Sequence, residues 1–174
     1  DPVFDRVSRS PVLARIAAAL GIGAPKLVQS MVIWKPPAIG GAVVAHQDAA
    51  FLVTDPPTVT GFWLALEDAD ESNGCLIAQP GGHRGPLRQR FLEREGALAL
   101  ETLDDTPYPA DGFVALPARK GTLVVLHGLL PHGSAANTSP RSRMAYTLHV
   151  VDGEATWHPG NWIRRRPDDP FRGF

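Results

Sequence analysis

"VVAHQDAAF", residues 43–51, sets a histidine, one spacer and an aspartate inside an otherwise apolar run. Read as a strand, the stretch alternates its faces residue by residue, so His46 and Asp48 project from the same side. An imidazole nitrogen and a carboxylate oxygen on one face can chelate a metal, hydrogen-bond each other, or sit at a solvated strand end. A bare His-x-Asp triplet is too common to choose among these. The choice depends on what the rest of the chain brings to that face.

Outward from this stretch, short apolar or alternating runs follow one another, separated by Pro, Gly, Asn and Asp. They are "KLVQSMVIW", "AVVAHQDAAFLV", "VTGFWLALED", "GCLIAQ", "DGFVALPA", "GTLVVLHGLL" and "RSRMAYTLHVVD". Such a series predicts an all-β sandwich or barrel, and 17 glycines with 17 prolines are enough to turn it. One helix is predicted, within "SRSPVLARIAAALGIG" (8–23). Ser10 caps it, Pro11 takes the first helical position and Gly21 ends it. Val12, Ile16, Ala19 and Leu20 give it an apolar stripe. The stretch "PLRQRFLEREGALAL" (86–100) is predicted as a short helix or as a loop folded over the sheet.

With 174 residues, no internal repeat and no low-complexity linker, the chain reads as a single domain, 1–174. A net charge of -1 gives no basic excess for nucleic acid. The run Arg164–Arg166 is followed by Asp168 and Asp169 and reads as a solvated turn. Cys75 is the one cysteine, which excludes an intrachain disulfide or a thiolate metal cluster and fits a reduced, cytoplasmic setting. No signal peptide and no bilayer-length apolar run is visible, so no membrane is expected; no obligate protein partner is evident in the sequence either.

The stretch "LHGLLPHGSAANTSPRSRMAYTLHVV" (126–151) supplies what the opening triplet lacks. It offers two further histidines, His127 and His132, and then Arg141 and Arg143 at the start of a β-type run. Two histidines and one carboxylate would form a face with three neighbouring coordination positions open, the arrangement of non-haem Fe(II) oxygenases. A closed jelly roll is the architecture whose facing strands could bring residues so distant together. A keto acid such as 2-oxoglutarate would fill two open positions, and its far carboxylate would need a buried cation. Arginine suits that role, because its planar fork meets a carboxylate through two parallel bonds. Strand phase favours Arg143, on one face with Ala145 and Thr147, over Arg141 beside the turn "NTSP".

Here the chain resembles a known family. "HQD", "LEDADESNGCLIAQPGGH" and "HGSAANTSPRSR", with "QSM", "GG", "EDA", "NGCL" and "TW-P-NW" elements in order, are similar to the phytanoyl-CoA dioxygenase family of Fe(II)/2-oxoglutarate oxygenases. The resemblance runs from "DPVF" at residue 1 to about Phe171. It implies a mainly β, double-stranded β-helix (jelly-roll, cupin-like) core with an N-terminal supporting helix. It implies Fe(2+) on His46, Asp48 and His132, 2-oxoglutarate as cosubstrate held by Arg143, O2 as oxidant, and Met31 and Trp63 lining the cosubstrate pocket. His127 fits the family spacing badly and reads as a strand or core histidine. His149, on the face of Arg143 and Thr147, reads as a hydrogen-bonded core group, His83 as a turn residue and His158 as a surface residue. Gln47, Phe51 and Asn137 are candidates for the substrate side, with Asn137 also able to brace the loop after His132 through an Asx-type bond.

Two departures stand out. Family members carry an N-terminal segment before the "DPVF" equivalent, including a lysine for 2-oxoglutarate, and the sequence is expected to lack it. "AQPGGH" replaces the more usual isoleucine–proline pair and serine. The expected activity is hydroxylation of a small molecule with release of succinate and CO2. The alternatives are a catalytically silent jelly-roll protein that binds metal or 2-oxoglutarate, and a cupin-like isomerase, which would not need the inward Arg143.

Overall fold

The computed structural model of the chain describes residues 1–109 and 111–174. Two short helices, α1 (Pro2–Ser8) and α2 (Pro11–Ala19), precede twelve strands. These are β1 (Pro25–Lys35), β2 (Val43–His46), β3 (Thr54–Asp55), β4 (Thr60–Ala65), β5 (Leu76–Ala78), β6 (Gln89–Arg94), β7 (Ala97–Thr102), β8 (Val114–Leu116), β9 (Leu123–His127), β10 (His132–Ser134), β11 (Arg143–Asp152) and β12 (Thr156–Trp157). One four-stranded sheet has the order β1-β11-β4-β9 and the other β2-β10-β5-β8. All pairings in both are antiparallel. This is the double-stranded β-helix that the sequence predicts, and each of the seven runs contains one of its strands.

The larger sheet shows why its sequence is so apolar. On β11, Ala145, Thr147 and His149 point into the β-helix, while Tyr146, Leu148 and Val150 point outward. A sheet covered on both faces buries both sets, and β11 is buried along nearly its whole length. The outward set packs with Phe62 against Ala17, Leu13 and Ile16 of α2. Ser10 Oγ caps α2 by accepting a bond from the Leu13 amide, and Gly21, with φ of 80°, follows its C-cap as expected. The sequence did not reveal α1, which is capped by the Asp1 carboxylate and pinned to the sheet by Ser8 Oγ, 2.6 Å from the Tyr146 hydroxyl. Between the sheets, Trp63, Ala65, Leu76, Leu126 and Ala145 form the inner core.

The segment 86–100 is neither helix nor loop. It is the hairpin β6–β7, turned at Glu95 and Gly96, which both adopt positive φ (52° and 83°) as a type I′ turn requires. Its second strand is exposed throughout, so it carries no alternation of apolar and polar residues to read. Leu92 of β6 alone is sealed completely. Among the described residues, no helix is long and apolar enough to cross a membrane.

Leu148 lies in the apolar layer between β11 and the helices, 3% exposed, whereas Val44 on β2 is 80% exposed. Leu148→Ala is expected to cost about 2–4 kcal/mol in chemical denaturation. Val44→Ala should stay within about 0.5 kcal/mol of the parent.

Candidate metal centre

The ladder of β2 ends at His46, but the backbone stays extended through Gln47 (φ -114°, ψ 130°) before a short 3-10 turn begins at Asp48. The alternation inferred from the sequence therefore persists just far enough to keep His46 and Asp48 on one side. Across the same sheet, His132 on β10 is the direct antiparallel partner of His46, with ring centroids 4.5 Å apart. Oδ1 of Asp48 stands 3.5 Å from Nε2 of each histidine. One donor atom from each of the three residues lies within 4.8 Å of the other two.

The tautomers fit metal binding. Nδ1–H of His46 donates to the Val44 carbonyl at 2.8 Å, and Nδ1–H of His132 donates to the Leu130 carbonyl at 2.9 Å. Each bond leaves an Nε2 lone pair facing the shared space. Burial alone would push the Asp48 carboxyl up. The facing imidazole of His149, then that of His46, and the charges of His149 and His132 hold it well below the usual carboxylate range instead. Burial draws His132 down, which favours the neutral ligand form. For His46 the effect of burial is outweighed by Asp48 and the Val44 carbonyl, which raise it.

The three residues open on a cavity of about 310 Å³ whose wall is mostly apolar. Met31, Trp63 and Arg143 all line it, so the structure brings together the ligand set and the residues implied for the cosubstrate pocket. Arg143 is 1% exposed. Its Nε donates to the Gly74 carbonyl at 3.0 Å, one Nη2 bond reaches Ser134 Oγ at 3.3 Å, and its guanidinium lies 5.7 Å from the Trp63 ring centre. Nη1 of Arg143 and Nε1 of Trp63 are buried donors with no protein acceptor. Among the described residues no carboxylate forms an ion pair with Arg143, whereas Arg141 faces outward and pairs with Asp70.

A second buried cation adjoins this end. Lys35 on β1 is the register partner of Arg143, and its Nζ donates to the carbonyls of Gly41 and Ala135. Burial, with the neighbouring Arg143 charge, draws its ammonium down to about 8. Lys35 and Ser134 escaped the sequence reading. Ser134 was accessible in principle, because it sits two residues after His132 on a strand and so shares its face.

The substrate-side candidates divide. Phe51 stands edge-on to His46 with ring centres 5.8 Å apart, and also contacts Phe91. Gln47 instead points away into the protein and is 2% exposed. Its Nε2 donates to the carbonyls of Pro86 and Leu129, and its Oε1 accepts from the Arg88 amide. Asn137 accepts from the Ser139 amide, the expected Asx turn, and donates to the carbonyls of Lys35, Pro36 and Arg141. Both are braces whose amides are used up by backbone, which corrects the expectation that they face substrate. His149 is buried at the cavity wall, but makes no hydrogen bond among the described residues, its Nε2 lying 3.3 Å from Asp48 Oδ2; His127 caps the Leu129 amide at the end of β9.

Two facing four-stranded sheets with a His-Asp-His set inside define a double-stranded β-helix of the non-haem metal type. A family model of phytanoyl-CoA dioxygenase matches residues 1–145, and the chain belongs to that family. Rice phytanoyl-CoA dioxygenase 1 is 46% identical over 176 residues, covering 98% of this chain and 61% of the rice protein. Mouse phytanoyl-CoA dioxygenase domain-containing protein 1 is 42% identical, covering 98% and 60%. The chain thus spans about 60% of the length of these relatives. Among solved structures, the non-haem alpha-ketoglutarate-dependent carbocyclase SnoK from nogalamycin biosynthesis matches with a TM-score of 0.75 at 27% identity, over 99% of this chain and 69% of its own. EvdO2 from Micromonospora carbonacea var. aurantiaca, complexed with 2-oxoglutarate, matches with a TM-score of 0.68 at 27% identity, over 94% and 70%.

Asn137→Ala strips several buried backbone groups of their partner and is expected to cost roughly 2 kcal/mol or more in denaturant unfolding. A substrate-contacting asparagine would leave that midpoint unmoved.

Proposed function

We propose that the chain forms the centre of an Fe(II)- and 2-oxoglutarate-dependent dioxygenase that hydroxylates a small organic molecule, with release of succinate and CO2. One observation carries this reading. A buried arginine without a carboxylate partner shares a cavity with a His-Asp-His set whose two free imidazole lone pairs and one carboxylate oxygen converge. A cationic fork desolvated this fully needs an anion, and the described residues supply none.

In this reading His46 Nε2, Asp48 Oδ1 and His132 Nε2 hold the metal. Arg143 receives the distal carboxylate of 2-oxoglutarate, with Ser134 steadying Nη2 and Trp63 offering its indole N–H. Met31 and the apolar wall flank the keto acid's methylene chain. Bound there, Fe(II) and 2-oxoglutarate supply the oxidising chemistry: dioxygen is reduced as the keto acid is decarboxylated to succinate, and one oxygen atom is transferred to a substrate C–H bond. The chain's own part is orientation. Asp48 lowers the charge of the centre, the two Nδ1 bonds fix the imidazole planes, and Phe51 with Phe91 offers an apolar wall on the side of His46. That wall and the mostly apolar cavity suit a substrate presenting a hydrocarbon portion to the metal.

The test is succinate formation from 2-oxoglutarate, assayed with Fe(II) under air and under nitrogen. Oxygen-dependent succinate that disappears in Asp48→Ala supports the reading, and no succinate from metal-loaded protein contradicts it. Arg143→Ala is expected to weaken 2-oxoglutarate binding by about 2–5 kcal/mol, measured by calorimetry on the Mn(II)-loaded protein, while leaving Mn(II) binding intact.

A further inference from the structure

Asp48 presents its two oxygens to different neighbours. Oδ1 faces His46 and His132, whereas Oδ2 is buried, accepts no hydrogen bond among the described residues, and has Nε2 of His149 as a close neighbour at 3.3 Å. His149 belongs to β11, in the sheet opposite the other three residues, so the contact ties the carboxylate to the far wall of the β-helix. The fold makes room for it. The register partner of His149 on β4 is Gly61, and a Cβ there would lie 2.9 Å from Oδ2 and 3.6 Å from His149 Cδ2. Any larger residue at 61 would press on the carboxylate oxygen that faces His149. The pairing of a buried histidine with a side-chain-free position across the ladder is therefore a matched arrangement around one oxygen atom.

We infer that His149 is a positioning residue for the metal centre, an inference that rests on the reading proposed above. Its imidazole holds Oδ2, which turns Oδ1 toward the two histidine Nε2 atoms and prevents Asp48 from offering both oxygens at once. A carboxylate restrained to one donor atom leaves neighbouring coordination positions for a bidentate keto acid. Partners one shell out from a metal commonly act this way, and losing them costs about 10–100-fold in metal affinity. His149 itself stays outside the ligand set, because its nitrogen is directed at the oxygen that the other two histidines do not face.

The experiment uses Co(II), whose visible bands report ligand geometry without turnover. Co(II) affinity and spectrum are compared in the parent protein, His149→Leu, His149→Gln and Gly61→Ala, with thermal unfolding of each metal-free protein alongside. The leucine variant is expected to bind Co(II) about 10–100-fold more weakly with altered bands. Glutamine, which returns an N–H donor near the Nε2 position, should recover most of the affinity and the parent spectrum. Gly61→Ala, with His149 intact, should perturb the bands from the opposite side. Parent affinity and bands in the leucine variant would overturn the inference, as would equal loss in the leucine and glutamine variants tracking their thermal stability. If the leucine variant does not fold, unaltered bands in Gly61→Ala overturn it. A parent protein that binds no Co(II) would remove the metal reading itself, and this inference with it.

Discussion

His46 and His132 face each other across one rung of the β2–β10 ladder, and the rest of the centre is arranged around that rung. Direct cross-strand neighbours on one face of a sheet are held close by the backbone itself, so the two imidazoles need no flexible loop to meet. The same geometry makes the arrangement unforgiving. A slip of one residue would turn His132 to the outside, away from His46 and Asp48. Two buried amides guard against it. Gln47 ties the turn after β2 to residues 86–88 and to Leu129 just ahead of β10, and Asn137 ties the segment after β10 to the end of β1.

The arginine end of the cavity comes from the opposite sheet. Arg143 starts β11, whose inward residues reach from the guanidinium past Thr147 to His149 beside Asp48. The His-Asp-His set therefore belongs to the β2-β10-β5-β8 sheet and its adjoining turn, and the buried arginine to the β1-β11-β4-β9 sheet. Closure of the β-helix is what joins them. The outward residues of β11 meanwhile anchor α1 and α2, so one strand couples the supporting helices to the site.

Much of this was legible from the sequence, for physical reasons that differ by element. The strand alternation of "VVAHQDAAF" and of "RMAYTLHVV" put His46 with Asp48, and Arg143 with His149, on shared faces because both backbones stay extended through those residues. The cap and proline pattern located α2. By contrast, β10 is only three residues long, too short to show any period, and its partners lie far away in sequence. The hairpin β6–β7 left little trace because its second strand buries nothing. Gln47 and Asn137 were misassigned to the substrate side. Their nearness to the metal ligands in sequence was plain, whereas the backbone groups they satisfy come mostly from segments that only folding brings near. Met31 and Trp63 were placed by resemblance alone, since an apolar strand residue beside a cavity looks like any other core residue until the cavity is seen.

We propose that one cavity holds both a metal on His46, Asp48 and His132 and a keto acid on Arg143. An anaerobic titration of the Fe(II)-loaded protein with 2-oxoglutarate, followed by visible absorbance, tests both at once. A broad metal-to-ligand charge-transfer band that saturates at one 2-oxoglutarate per protein is expected. Stoichiometric Fe(II) binding with no such band at saturating 2-oxoglutarate would contradict it.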